Sequence, residues 1–248
     1  MMAMTPINKL KAVILAAGKG TRIHTLTNGG PKSLLPLGDT TLLGQSLRHF
    51  AAQGIEDIVI VTGYRRDAIS EYVRREWSGN LEVVFNPHYD TTNVLYSFWL
   101  AMPYLDGSDF LFLHADTVFS QEILERVSAH EPDAQIVFAV DDHPCEDEEM
   151  KVQITDGRVT LVTKKMPHES ANGEFLGLAR ISADILPSLR THAERLFEEG
   201  EFSSFFEMSV QRMIDQDGLI VKVADVTGMP WREVDFPEDY AAAREMFG

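Results

Sequence analysis

The residues with the clearest chemical potential lie at 15–22, Leu-Ala-Ala-Gly-Lys-Gly-Thr-Arg, where an apolar run empties into a loop of two glycines, a small hydroxyl and two cations. Gly18 and Gly20 lack a Cβ, so the chain can bend sharply there and bring its N–H groups close to a ligand. Successive N–H groups in such a turn form a concave anion site. Lys19 and Arg22 add full positive charge, and Lys32 follows within Pro31-Lys32-Ser33-Leu34-Leu35-Pro36. A strand, a small-residue loop and three cations together describe a cradle for a triphosphate.

Two commoner phosphate loops are excluded by single residues. A P-loop needs a glycine five residues before its Gly-Lys pair, and that position is Val13. The dinucleotide fingerprint needs a third glycine where this chain has Ile23. Two carboxylates are placed for a metal. Asp116 ends the stretch His114-Ala115-Asp116, just past a Phe- and Leu-rich run, and Asp235 lies in Trp231-Arg232-Glu233-Val234-Asp235-Phe236. Magnesium takes one or two protein carboxylates together with phosphate oxygens and water. Either aspartate alone also fits a helix N-cap, where Asp is favoured. Lys164, after an expected hairpin, and Lys151 are candidates to neutralise an acceptor phosphate, though most lysines are solvated surface charges.

The elements that must position these groups alternate. Apolar runs at 11–15, 57–62, 81–85, 109–114 and 134–140 predict strands, and the spacing predicts helices over 42–53, 67–77, 94–102 and 121–130. Strands alternating with helices give a Rossmann-like α/β fold with a mixed, mainly parallel sheet flanked by helices. Ligands of such sheets collect at the carboxyl ends of the strands, which places the first loop on one rim with Asp116. After Val140 comes an acidic segment, 141–150, and then a hairpin of 152–155 and 159–163 around Asp156-Gly157, a strong turn signal. A strand at 175–181, helices at 183–190 and 205–216, strands at 219–223 and 232–235, and a closing helix at 237–246 complete the chain. Residues 1–10 read as a flexible leader and 11–248 as one domain, with a nucleotide-binding half (11–140) and an acceptor-binding half (141–248).

Composition narrows the partners. A formal net charge of -16 argues against nucleic acid and anionic membrane, which require basic surfaces. The sequence shows neither a secretory signal nor a bilayer-spanning run. Its single cysteine, Cys145, suits a reducing, cytoplasmic setting. A homodimer is one assembly open to it.

Ala-Ala-Gly-x-Gly-Thr-Arg followed by Pro-Lys-x-Leu-Leu-Pro resembles the signature of the nucleotidyltransferases that join an NTP to a phosphorylated acceptor. Phe85-Asn86-Pro87-His88-Tyr89 with Asn93–Ser97, His114–Asp116, Glu149–Val152 and Trp231–Tyr240 extend the likeness to bacterial CTP:phosphocholine cytidylyltransferases over nearly the whole chain. The resemblance implies the nucleotide-diphospho-sugar transferase type of fold, CTP and a small phosphorylated acceptor as substrates, and Mg²⁺. It implies that Ala16, Ala17, Gly18, Gly20 and Arg22 hold the nucleotide, with Leu15, Lys19, Thr21 and Ala115 beside them. Lys32 would grip the α-phosphate, Asn93 and Ser97 would lie by the nucleotide, Asp116 and Asp235 would bind Mg²⁺, and Lys164 would meet the acceptor phosphate, with Arg22, Lys32 and Lys164 acting in catalysis. The alanine before Asp116 departs from the Gly-Asp of many members but keeps the turn small. A quaternary ammonium group would want an aromatic cage with a carboxylate nearby, drawn from Tyr89, Phe205, Phe206, Glu207 and Trp231. An acceptor phosphate, with second pKa ~6, is already mostly dianionic at neutral pH and needs no general base. The alternatives are an alkylphosphonate or a sugar or polyol phosphate as acceptor, UTP or GTP as donor, or a non-catalytic nucleotide-sensing subunit.

Overall fold

The computed structural model describes residues 10–248 apart from Asp106, His130 and Pro132. The expected leader, Leu10 excepted, and the expected end of a helix at His130 lie outside the described residues. In chain order the elements are β1 (Lys11–Ala16), α1 (His24–Thr27), β2 (Pro36–Leu37), β3 (Thr40–Thr41), α2 (Leu42–Ala52), β4 (Asp57–Thr62), α3 (Arg66–Glu76), β5 (Asn80–Phe85), α4 (Val94–Ala101), β6 (Phe110–His114), β7 (Thr117–Phe119), α5 (Gln121–Ser128), β8 (Ile136–Asp141), β9 (Lys151–Thr155), β10 (Arg158–Thr163), β11 (Glu174–Ile181), α6 (Leu186–Glu198), α7 (Phe206–Asp217), β12 (Val221–Asp225), β13 (Trp231–Glu233) and α8 (Pro237–Phe247).

Nine strands form one mixed sheet in the order β5-β4-β1-β6-β11-β8-β12-β10-β9. The first four run parallel. β11 enters antiparallel between β6 and β8, so a strand from the later part of the chain sits at the centre of the sheet. β1 is buried on both faces, as parallel strands of covered sheets are. Val13 and Leu15 join one apolar core, while Ala12 and Ile14 join the other on the opposite face. The hairpin turn of β9 and β10 places Asp156 and Gly157 at φ 51° and 73°, a pair of positive values that the Asp-Gly sequence accommodates.

Two features escape the sequence pattern. The expected helix at 183–190 is a short 3₁₀ turn that continues as α6 to Glu198, because Pro187 sits in its first turn, where the missing N–H costs nothing. β7 is too short to show periodicity, and it pairs antiparallel with β13, outside the main sheet. Among the described residues no helix is long and apolar enough to cross a membrane.

Phe206 lies at the start of α7, fully buried, stacked on Phe112 of β6 with centroids 4.3 Å apart and edge-on to Phe98 of α4. It ties two helices to the sheet beneath the site and is not available to a ligand, which corrects its place among the cage candidates. Truncating such a ring removes its transfer energy and leaves a cavity. Phe206→Ala is expected to lose about 3–5 kcal/mol of unfolding free energy, as read from a urea titration.

Candidate active site

The site opens at the carboxyl ends of β1 and β6. It is a cavity of about 370 Å³ whose lining includes Leu15, Ala17, Gly18, Arg22, Tyr89, Asn93, Ser97, His114, Asp116, Lys164, Phe205, Glu207, Glu233 and Asp235. At one wall the chain leaves β1 through the glycine loop. Gly20 has φ 59°, and a Cβ there would come within 2.8 Å of the Lys32 Cβ. Only glycine lets the loop take this left-handed turn and lie against Lys32. A Cβ on Gly18 would meet nothing within 4 Å, so that face of the loop is open toward the cavity. The Ala17 carbonyl accepts from Tyr64 N–H at 3.0 Å, which fixes the loop to the end of β4.

Lys32 lies under the loop in a 3₁₀ turn. Its Nζ is 2.7 Å from Asp116 Oδ2 and 2.6 Å from Asp235 Oδ1. The two aspartates are far apart in sequence, and the β7–β13 ladder joins them: Glu233 pairs with Thr117, and Val234 N–H donates to the Asp116 carbonyl at 3.0 Å. Arg22 reaches the other oxygen of Asp235 at 3.3 Å and Glu148 at 2.9 Å. Burial by itself would lower the Lys32 pKa, but Asp116 and Asp235 override it and hold the ammonium above its ordinary range. In turn Lys32, and then His114, hold Asp116 below its ordinary range against the opposing effect of burial. Glu233, in the same cluster, is pushed up to about 8 by burial and then by repulsion from Asp116 and Asp235.

The far wall comes from α4, β10, β11 and α7. Asn93 caps α4, accepting from Val94 N–H at 2.8 Å, and its amide donates to the Ser203 carbonyl at 3.3 Å. Ser97 accepts from the buried Asn86 at 3.0 Å. Gly177 has φ 77°, and a Cβ there would come within 2.6 Å of His114 Nδ1, so this glycine of β11 makes room for the histidine. Lys164 Nζ sits 5.2 Å from the centre of the Phe205 ring and has no ion pair among the described residues. Glu207, in the first turn of α7, is buried, and its Oε2 has no hydrogen-bond partner among the described residues. Burial raises its pKa.

The geometry divides the sequence-derived candidates. Leu15, Ala17, Gly18, Arg22, Asn93, Ser97, Asp116, Asp235, Tyr89, Lys164 and Glu207 line the cavity, and Lys32 adjoins it through the two aspartates. Ala16 and Ala115 are packed into the apolar core. Lys19 and Thr21 are exposed outside the lining, Lys19 lying 3.8 Å from Asp90. Two assignments need correction. Lys151 is fully buried, and its ammonium donates to the carbonyls of Asp147, Glu149 and Lys164. It is a structural clamp and does not face an acceptor. Trp231 lines a separate recess, where its indole N–H donates to Asp141 at 2.8 Å. Glu148 and Glu233 were missed. Glu233 is two residues from Asp235, and the strand expected over 232–235 would put both on one face, although β13 ends at Glu233. Nothing in the sequence marks Glu148 as the partner of Arg22.

A glycine loop, cations and paired carboxylates meet around one cleft, and the chain belongs to the family of the MobA-like NTP transferase domain, whose model matches residues 12–205. Its relatives include cytidylyltransferases. It is 31% identical to a CMP-5'-(3-aminopropyl)phosphonate synthase of Streptomyces rubellomurinus over 94% of this chain, which spans 38% of that protein. It is 26% identical to the choline-phosphate cytidylyltransferase of Streptococcus pneumoniae, covering 96% of this chain and 98% of that one. The fold is that of the inositol-1-phosphate CTP transferase from T. maritima, with a TM-score of 0.81 and 22% identity over 96% of this chain and 95% of the other.

Removing one partner of a buried ion pair strands the others. Lys32→Met leaves Asp116 and Asp235 facing each other, and is expected to cost about 3–5 kcal/mol in urea unfolding with chelator present. Glu207 gives a pH signature. Its folded pKa lies above the unfolded value, so the folded state holds the proton more tightly and stability falls as pH rises between the two. Glu207→Gln is expected to flatten that decline above about pH 4.3, measured by thermal unfolding across pH.

Proposed function

We propose that this chain transfers a cytidylyl group from CTP to a small acceptor with a phosphate or phosphonate at one end and an amine at the other, releasing pyrophosphate. The observation that carries the reading is Glu207, a buried carboxylate with an unpartnered oxygen, in the same cavity as the Lys32–Asp116–Asp235 cluster. A buried acceptor left unsatisfied costs free energy, and an entering ammonium would supply both the N–H and the charge. A quaternary ammonium has no N–H and depends on aromatic faces. Of the expected cage, Tyr89 and Phe205 face the cavity, while Phe206 and Trp231 do not. This balance favours an aminoalkyl acceptor over phosphocholine, and the name of the Streptomyces relative agrees with it. CTP is favoured over UTP and GTP by the cytidylyl relatives.

Asp116 and Asp235 already converge on one cation, the Lys32 ammonium. Carboxylates with phosphate oxygens are the donor set magnesium takes, and these two residues would hold Mg²⁺. Bound there, the ion would neutralise charge on the triphosphate. The remaining work belongs to the chain itself. The N–H groups of the 17–20 loop bind phosphate oxygens, and Arg22 and Lys32 draw charge from the α-phosphate. Lys164, unpaired beside Phe205, takes the acceptor's anionic end. An acceptor oxygen forms a bond to the α-phosphorus while the α–β bridging bond breaks and leaves with pyrophosphate. The dianionic acceptor needs no proton removed, so catalysis consists of positioning and charge neutralisation.

Pyrophosphate release over a grid of CTP, UTP and GTP against aminoalkyl phosphates, aminoalkylphosphonates, phosphocholine and an inositol phosphate tests this reading. The expected result is CTP with an amine-bearing acceptor, with Glu207→Gln losing roughly ten- to a hundredfold in kcat/KM, the worth of about 1.5–3 kcal/mol for a hydrogen bond to a charged group. Equal rates with phosphocholine, or indifference to Glu207→Gln, would overturn the amine assignment. No turnover with any pair would overturn the transferase reading.

A further inference from the structure

Outside the cleft, a second recess of about 410 Å³ is lined by residues that include Asp141, His143, Glu149, Glu174 and Trp231. Beside it, one ligand atom each of His143, Cys145 and Glu149 lie within 4.8 Å of one another. They come from a single segment with the spacing His-x-Cys-x-x-x-Glu. The donor set is an imidazole nitrogen, a sulfur and a carboxylate oxygen. Such a mixture suits zinc and is unlike the all-oxygen sites of magnesium or calcium.

Independent observations point to a missing partner. His143 Nδ1 is buried and has no hydrogen-bond partner among the described residues. The other ring nitrogen, Nε2, lies 3.2 Å from Glu174, a carboxylate whose side chain is only 5% exposed. One nitrogen free and the other on a carboxylate is the arrangement of metal-ligating histidines, whose second N–H is held by an outer acid. The position of Glu149 is also set in advance: its Oε2 accepts from Glu146 N–H at 2.7 Å, and its Oε1 lies 4.0 Å from His143 Nε2. The surroundings are acidic, with Asp141, Glu149 and Glu174 lining the recess.

We propose that His143, Cys145 and Glu149 form a binding site for a zinc-class divalent cation, with Glu174 as the outer carboxylate on His143. The cation replaces the Cys145 thiol proton, which leaves to solvent, and no electron is transferred. Donors around a tetrahedral zinc stand roughly 3.3–3.8 Å apart, so the three groups need to close by only about 1 Å. The ion would pin the 142–150 segment against β11. That segment carries Glu148, which holds Arg22 in the cleft. It also leads into Lys151, whose ammonium holds the Asp147 and Glu149 carbonyls. The site would therefore brace one wall of the cleft without touching a substrate.

Cobalt(II) titration of the chelator-treated full-length protein, with excess Mg²⁺ present to occupy the cleft carboxylates, tests the site directly. Cys145 is the only cysteine in the chain, so a near-ultraviolet cobalt–thiolate charge-transfer band reports this site alone. The expected result is a band that saturates at one equivalent, is displaced by zinc, persists in Asp116→Asn, and disappears in Cys145→Ser. Glu174→Gln should weaken zinc about ten- to a hundredfold, as loss of an outer partner does. Absence of the band in the unsubstituted protein would overturn the proposal whatever the variants do. An undiminished band in His143→Ala would overturn the ligand set.

Discussion

The structure turns on one buried ammonium group. Lys32 Nζ lies within 2.7 Å of two carboxylates that belong to different parts of the chain. Two aspartates brought this close would repel each other in a low-dielectric setting. The lysine makes their approach favourable and holds Asp116 below its ordinary range. The glycine loop depends on the same group, since Gly20 is where it is because the Lys32 stem lies against it. So does the β7–β13 ladder, which would otherwise deliver Asp116 and Asp235 into mutual repulsion. These two acids are the ones proposed above to hold Mg²⁺.

The sheet makes that convergence possible. β1 and β6 are adjacent and parallel, so the loops after them emerge on one rim. β11 runs antiparallel beside β6 and carries Gly177, whose missing side chain admits His114. α7 then packs its Phe206 into the core, and the next residue, Glu207, lines the cavity. Phe205, Phe206 and Glu207 are consecutive but have three different surroundings: the cavity wall and partial exposure, the apolar core, and the buried end of the cavity.

Charge is distributed against the composition. The chain is strongly acidic, yet Arg22, Lys32 and Lys164 gather at one cleft, where burial raises the pKa values of Glu233 and Glu207. Anionic ligands there meet three cations that the formal total conceals, set beside carboxylates that pair with two of them. The second recess, by contrast, is lined by the acids Asp141, Glu149 and Glu174.

The amino-acid order alone determined the alternation of strands and helices, the glycine loop with its cations, the Asp-Gly hairpin and the two aspartates. These are local matters, written in periodicity, in turn residues and in motifs a few residues long. It left open which of the two hairpin lysines serves a ligand. Lys151 and Lys164 have similar neighbours in sequence, but the first is consumed by three carbonyls and the second is left over an aromatic ring. Trp231 looked like a cage residue until the strand that carries it turned its ring to another recess. Glu148 gave no sign of Arg22, nor His143 of Glu174. Such pairings are decided when separate segments are brought side by side, because which face of a strand or turn meets which neighbour depends on the register between segments, and no single segment encodes that register.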